Sequence, residues 1–330
     1  MKSFLTFFCI IFLFINCQAQ QSSSSQSQKN FKVIGYYASW SCSPQDLDLS
    51  GLTHINFSFG IPLKTENALE PIRNEEKLTE ITKLAHAQGK KVFLAVGGWD
   101  VGDGGGIDER FHRISTTASS RTAFVKSMME NVKKYDLDGI DMDWEYPDEN
   151  HQSGDDFIAL MQELADALHK EKKELSAAVV SKGKKGFGIK KEVFEIVDWL
   201  NLMIYDNDHG KPAENPHSLF ALAEESLNYW ITERGLPANK AILGLPFYGK
   251  PGYNNKYGSY KNLIAAGANP EEDRIGDTHY NGTKTIQAKT KYAIERGCSG
   301  VMIWEICHDT KDQTSLIKAI NNALIGIPNK

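Results

Sequence analysis

Metal-ligand spacing is missing from this chain: its nine histidines form no pair at ligand spacing, and none sits in a cysteine cluster. No metal is therefore expected. Long apolar runs are scarce as well. The run from Phe4 to Ile15 behind Lys2 falls short of the roughly 20 residues needed to cross a bilayer, so no membrane span is expected. An excess of one charge is also lacking, with 37 Lys and Arg against 42 Asp and Glu and a formal net charge of −5. The basic clusters are short: Lys170, Lys172 and Lys173 at a helix end, and Lys182, Lys184 and Lys185 in a Gly-containing loop. With no aromatic residues alternating with them, both read as solvated surface, and no nucleic-acid partner is expected. Gly102-Asp103-Gly104-Gly105-Gly106 lacks the Lys-Ser/Thr of a phosphate loop and reads as a mobile loop. No cofactor is implied.

Cysteines are few, five in 330 residues, and their positions matter more than their number. The apolar run from Phe4 to Ile15 suits a signal-peptide core, with small residues for cleavage near Ala19, so residues 1–19 are expected to be removed on export. A lipid attached at Cys17 is the alternative, although Asn16 is an unusual residue before such a cysteine. Residues 20–30 are Gln/Ser-rich without apolar periodicity and read as a flexible leader. The protein is thus expected to be secreted. Cys42, Cys298 and Cys307 remain, an odd count for an exported chain.

Residues 31–330 read as one domain, since no linker interrupts them and an α/β barrel of about this size is ordinary. Apolar, β-branched runs alternate with helical patterns, which argues for βα units and a parallel sheet. The candidate strands are Lys32–Tyr37, Thr53–Phe59, Lys91–Gly97, Gly139–Glu145, Leu175–Val180, Leu200–Tyr205, Ala241–Phe247 and Gly300–Ile306. Helical patterns cover Glu75–Gln88, Ser119–Tyr135, Asp155–Lys172, Leu219–Arg234, Thr285–Arg296 and Asp312–Leu324. Eight strands with helical crossovers predict a (β/α)8 barrel of the TIM type, whose functional residues sit at the C-terminal strand ends. A doubly wound open sheet is the weaker alternative, because Trp99, Glu145, Asp206, Tyr248 and Trp304 all fall at or just past such ends. With the barrel closed, the first and last strands are neighbours, which makes a Cys42–Cys307 bridge conceivable. Cys298, before the last strand, reads as a buried free thiol.

The run Asp138-Gly139-Ile140-Asp141-Met142-Asp143-Trp144-Glu145-Tyr146-Pro147 carries the chemistry. Residues two apart on a strand share a face, so Asp141, Asp143 and Glu145 stand in one row while Ile140, Met142 and Trp144 pack the other way. Three anions so close cannot all stay charged, and a raised pKa lets one hold a proton near neutrality, as a general acid must. Asp138 reads as closing the turn before its strand, without a catalytic part.

This run resembles the DGxDxDWEYP signature of glycoside hydrolase family 18, the chitinases and their relatives. In order along the chain, Leu94-Ala95-Val96-Gly97-Gly98-Trp99 resembles the family's SxGGW segment, Met203-Ile204-Tyr205-Asp206 its MxYD, Leu245-Pro246-Phe247-Tyr248-Gly249 its PxYG-like strand, and Gly300–Glu305 its final strand. Ala95 departs from the pattern, standing where the family usually has a serine that supports the carboxylate row. Family members often insert an α+β module between the last two strands. Here the Gly249–Thr283 interval is too short for a full one and reads as a long loop with a short helix near Lys261–Ala266, leaving a shallow cleft on that side.

The resemblance implies hydrolysis in which the substrate's own 2-acetamido oxygen attacks, so no protein nucleophile is needed. On that pattern Glu145 is acid and then base, Asp143 holds the acetamide N–H, Asp141 shares a proton with Asp143, and Tyr205 donates to the acetamide oxygen. Trp304 floors the reacting sugar, Asp206 binds sugar hydroxyls and Trp99 stacks on sugar. Tyr36, Tyr146, Met203 and Tyr248 complete the expected substrate contacts, while Trp144 reads as core. The expected partner is chitin or chito-oligosaccharide, cut internally by a monomeric enzyme. An endo-β-N-acetylglucosaminidase acting on glycoprotein glycans, or a non-catalytic chitin-binding relative, stays open at this point.

Overall fold

The computed structural model describes residues 31–99, 101, 109–148, 152–251 and 258–325. The expected signal peptide and leader, Cys17, and the Gly102–Gly106 loop lie outside the described residues. Eight parallel strands close into a barrel: β1 Lys32–Ala38, β2 His54–Gly60, β3 Lys91–Gly97, β4 Gly139–Asp143, β5 Glu174–Val180, β6 Trp199–Met203, β7 Ala241–Pro246 and β8 Gly300–Trp304. Closure comes from β1 pairing with β8, in register Lys32 with Gly300 through Gly35 with Ile303. The (β/α)8 expectation holds, and the strands differ from it mainly at their ends. β4, β6 and β8 stop at Asp143, Met203 and Trp304, so Glu145, Tyr205 and Asp206 sit on the loops just above them.

Outer helices follow the amphipathic patterns. They include α1 Glu75–His86, α2 Glu109–Ser115, α3 Ala118–Lys134, α4 Ser153–Lys170, α5 Glu192–Ile196, α6 Phe220–Leu227, α7 Tyr260–Ala265, α8 Thr283–Glu295 and α9 Leu316–Ile325. The Leu219–Arg234 pattern divides into α6 and a π-helical turn, Asn228–Glu233. The short α2 and α5 were not legible, each being shorter than the window over which helical periodicity can be recognised. The Gly249–Thr283 interval holds α7, where a short helix was expected, and two-residue ribbons, Tyr248–Gly249 with Gly258–Ser259 and Arg274–Ile275 with Thr278–His279. No separate domain is formed there among the described residues.

The alternation in β4 partitions the core. Ile140, Met142 and Trp144 pack outward between barrel and helices, where Trp144 stacks on Phe111 at 5.0 Å and meets the edge of Phe157 at 5.8 Å. Asp141 and Asp143 point into the barrel, whose interior holds Ile34, Tyr36, Phe93, Ala95, Trp199, Ile242 and Met302. Asp138 ties the foot of this strand down: one carboxylate oxygen accepts from the Val92 amide and meets the His86 ring, each at 2.8 Å. Cys42 and Cys307 form a disulfide, with Cα atoms 5.8 Å apart, joining the segments that follow β1 and β8. Cys298 is a buried free thiol, and burial pushes its pKa up to about 12.

Candidate active site

The top of β3 is glycine for a steric reason. A Cβ on Gly97, whose φ is +118°, would lie 2.1 Å from the Asp143 carbonyl oxygen; one on Gly98 would lie 2.8 Å from the Phe59 ring. The two glycines let the chain close over the carboxylate strand, with the Gly98 amide donating to the Asp143 carbonyl at 2.8 Å. Trp99 follows directly and stands over the barrel mouth.

Barrel register sets Ala95, Asp141 and Ser176 side by side on β3, β4 and β5. The serine missing at position 95 is offset from the other flank. The Ser176 hydroxyl donates to Asp141 Oδ1 at 2.6 Å and the Asn201 amide of β6 to the same oxygen at 2.9 Å. Tyr36 of β1 reaches across the barrel and donates to Oδ2 at 2.5 Å. Asp141 is fully buried, and burial raises its pKa; the Ser176, Tyr36 and Asn201 donors oppose that rise. Tyr36 is therefore placed differently from a simple sugar contact. Its ring borders the cleft, but its hydroxyl is committed to Asp141.

Asp143 lies one step higher. Its pKa is raised well above the carboxylate range, first by burial and then by the negative charges of Glu145 and Asp141. Like-charge repulsion, the cause expected from the spacing, comes second to desolvation inside the barrel, which depends on what surrounds the strand. Asp143 borders the floor of the cleft, and its Oδ1 is buried with no hydrogen-bond partner among the described residues. Tyr146 hydrogen-bonds Glu145, and burial together with that carboxylate keeps its phenol protonated. Burial and the nearby Asp143 hold Tyr205 in its protonated, donating form, its hydroxyl 3.8 Å from the Met302 sulfur.

An aromatic floor and wall complete the mouth. Trp304 stacks on Phe59 at 5.8 Å, meets the Trp99 edge at 5.6 Å and lies 5.6 Å from Tyr36. Trp99 and Trp40 are 52% and 56% exposed, and their rings meet edge-on at 6.2 Å; such exposure of two large indoles beside a cleft marks a surface made to be covered. Asp206, at a φ of +57°, accepts from the Tyr248 hydroxyl at 2.7 Å and lies 3.1 Å from the Lys250 ammonium. Burial alone would raise its pKa, but His217, Lys250 and Tyr248 outweigh that and hold it at about 2.

The cleft has two halves that share Trp99, Asp206 and Trp304. One, of about 530 Å³, contains Asp143, Glu145, Tyr146, Met203 and Tyr205; the other, of about 510 Å³, contains Trp40, Tyr248, Lys250 and His308. Every sequence-predicted site residue thus borders this mouth except Asp141, which sits beneath it. A further depression of about 590 Å³ lies by the disulfide and α9, away from the carboxylates. Sequence reasoning missed Trp40 and Phe59, which the strand-end rule that found Trp99 would also have found. It missed Ser176, Asn201, His217 and Lys250, which carry no local signal. Lys184 and Lys185 are exposed, as expected of solvated surface, and Lys182 is half-buried; sequence reasoning did not place the three on the half of the cleft that holds Glu145. Among the described residues, no cluster of three or more His, Cys, Asp or Glu side chains is placed to hold a metal ion.

A parallel eight-stranded barrel with a buried carboxylate row rising to a half-buried glutamate, set in an aromatic-lined groove, defines the class of barrel glycosidases. The family model for glycosyl hydrolases family 18 matches residues 32–309, so the chain belongs to that family. It is 29% identical to probable chitinase 10 of Drosophila melanogaster over 67% of this chain and 11% of the fly protein. It is 29% identical to mouse chitotriosidase-1 over 83% of this chain and 72% of that one. Among solved structures it is similar to the family 18 chitinase ChiB of Flavobacterium johnsoniae, with a TM-score of 0.77 and 26% identity over 89% of this chain and 94% of that one.

Proposed function

We propose that this chain is a secreted, endo-acting chitinase that hydrolyses β-1,4 bonds between N-acetylglucosamine units with retention, the substrate's acetamide acting as nucleophile. The observation that carries the reading is Asp143, buried between Asp141 below and Glu145 above, its pKa raised well above the carboxylate range and one oxygen without a hydrogen-bond partner among the described residues. As its proton passes to Asp141, the Asp143 carboxylate accepts from the acetamide N–H, turns the carbonyl oxygen toward the anomeric carbon and stabilises the positive charge as it forms. Tyr205 stays protonated and steadies the acetamide oxygen. Trp304 supplies the apolar floor for the ring.

In the first step Glu145 gives its proton to the leaving oxygen as the acetamide oxygen bonds to the anomeric carbon. In the second, the Glu145 carboxylate takes a proton from water, which opens the bicyclic intermediate from the face the leaving group departed. Two inversions leave the β-anomer. Asp141, held by Tyr36, Ser176 and Asn201, lies beneath Asp143 to take up that group's proton as the intermediate forms and to return it when water opens the ring.

The test is turnover of a fluorogenic chitobioside by wild type and Glu145→Gln, with proton NMR of the first product. Losing a general acid costs about 10²- to 10⁴-fold, so the variant should be nearly inert while still binding chito-oligosaccharide. Near-normal rates in the variant, or an initial α-anomer, would overturn these roles.

A further inference from the structure

The lysine-bearing loop after β5 lies on a particular side of the acid. Lys182, Lys184 and Lys185 line the half of the cleft that contains Glu145 and Tyr146, and the Lys185 ammonium is 5.3 Å from the centre of the Tyr146 ring. Trp304 extends into both halves, but Glu145 borders only this one. A sugar seated on Trp304 with its chain running toward Trp40 therefore places its scissile bond at Glu145 and its leaving group toward the lysines. This direction rests on the proposed function above.

The loop is held in place from behind. The Trp230 indole donates to the carbonyls of Val180 and Ser181, each at 3.0 Å, the Tyr229 hydroxyl to that of Gly183 at 3.0 Å, and Arg234 to that of Gly186 at 2.8 Å. Two acids of this half, Asp206 and Asp208, share one lysine. Lys250 sits 3.1 Å from Asp206 and 2.6 Å from Asp208, and Lys182 pairs with Glu225. Lys184 and Lys185 form no ion pair among the described residues. A pair of ammonium groups without a carboxylate partner thus stands where the leaving group would pass.

We propose that the leaving-group half is a subsite for carboxylate-bearing sugar, so that the enzyme favours N-acetylglucosamine chains whose leaving portion is anionic. An exposed ion pair is worth little, about 1.7- to 3-fold each at moderate salt. Two lysines should give a preference of about three- to tenfold.

Chitotetraose oxidised at its reducing end to the aldonic acid would be compared with the same tetramer reduced to the alditol, which shares the open terminal unit but carries no charge. In 20 mM salt the wild type should show a kcat/KM ratio, acid over alditol, of about three to ten, falling toward one in 0.5 M NaCl. The ratio should be near one in Lys184→Ala/Lys185→Ala and below one in Lys184→Glu/Lys185→Glu; taken within each variant, it cancels any general loss of activity. A wild-type ratio of one, or a preference that survives charge reversal or high salt, overturns the subsite. Failure to cleave intact chitotetraose would instead count against the proposed function. The dissociation constants of the two tetramers from Glu145→Gln would then decide the subsite alone, tighter binding of the acid supporting it and equal binding overturning it.

Discussion

Replacing Tyr36 by phenylalanine removes one hydroxyl from the most buried part of the carboxylate row. That hydroxyl is the donor to Asp141 Oδ2 at 2.5 Å, while Ser176 and Asn201 both serve Oδ1, so the second oxygen loses its short hydroxyl bond inside the barrel. A hydrogen bond to a charged group contributes about 1.5–3 kcal/mol. Losing it should raise the proton affinity of Asp141 about ten- to hundredfold. The sign follows from burial. Asp141 already has a folded pKa above its unfolded value, so its stabilising contribution is complete below the unfolded pKa of about 3.9 and is lost as pH rises through the folded pKa. The substitution pushes that folded pKa further up. The variant should therefore be destabilised by about 1.5–3 kcal/mol at neutral pH, and by a smaller amount, about 0.5–1.5 kcal/mol, near pH 3, where the carboxyl is protonated in both states. If an ionised Asp141 is needed under Asp143, the acid limb of kcat/KM on a chitobioside should move up by about one to two pH units. Urea unfolding at pH 3 and 7 and a pH–rate profile read these outcomes. A destabilisation independent of pH together with an unmoved acid limb would mean that Tyr36 serves only as packing.

Lys289 is fully buried, donates to the Ser218 carbonyl and hydroxyl at 2.8 Å and to Asn281 Oδ1 at 2.7 Å, and burial lowers its pKa from 10.5 to about 7. Between those values the unfolded chain binds more protons, so wild-type stability should gain about 1.4 kcal/mol per pH unit relative to Lys289→Met from pH 7 to 9; parallel urea-unfolding curves would refute this. The Cys42–Cys307 bridge spans a sequence separation of 265, and Cys42→Ser/Cys307→Ser should cost about 2–4 kcal/mol in denaturant unfolding. An unchanged midpoint would show that the bridge constrains nothing. Trp40→Ala should raise KM for chitopentaose by about fivefold to tenfold, as for loss of an aromatic contact of 1–1.5 kcal/mol, yet leave KM for the chitobioside unchanged. Equal effects on both would move Trp40 out of the distal half of the cleft.

The alternation of Asp141, Asp143 and Glu145 with Ile140, Met142 and Trp144 was readable because side-chain direction in a strand has a period of two residues, a property of the local backbone alone. The βα repeats, the ring of residues at strand ends and the short Gly249–Thr283 interval were readable for the same reason: each is a pattern along the chain. The proximity of Cys42 and Cys307 needed one further step, that a closed barrel makes its first and last strands neighbours. Tertiary structure alone decided what surrounds the row. Tyr36, Ser176 and Asn201 converge on Asp141 from β1, β5 and β6 because barrel closure and strand stagger bring four distant segments into one layer. Burial leads the shift at Asp143 because desolvation depends on the whole enclosure, which no single strand encodes. Lys184 and Lys185 are solvated as expected, but their place beside the cleft was hidden on the same account. Their spacing is that of a solvated run, and only the fold, with Trp230, Tyr229 and Arg234 holding the loop from behind, turns them toward the acid.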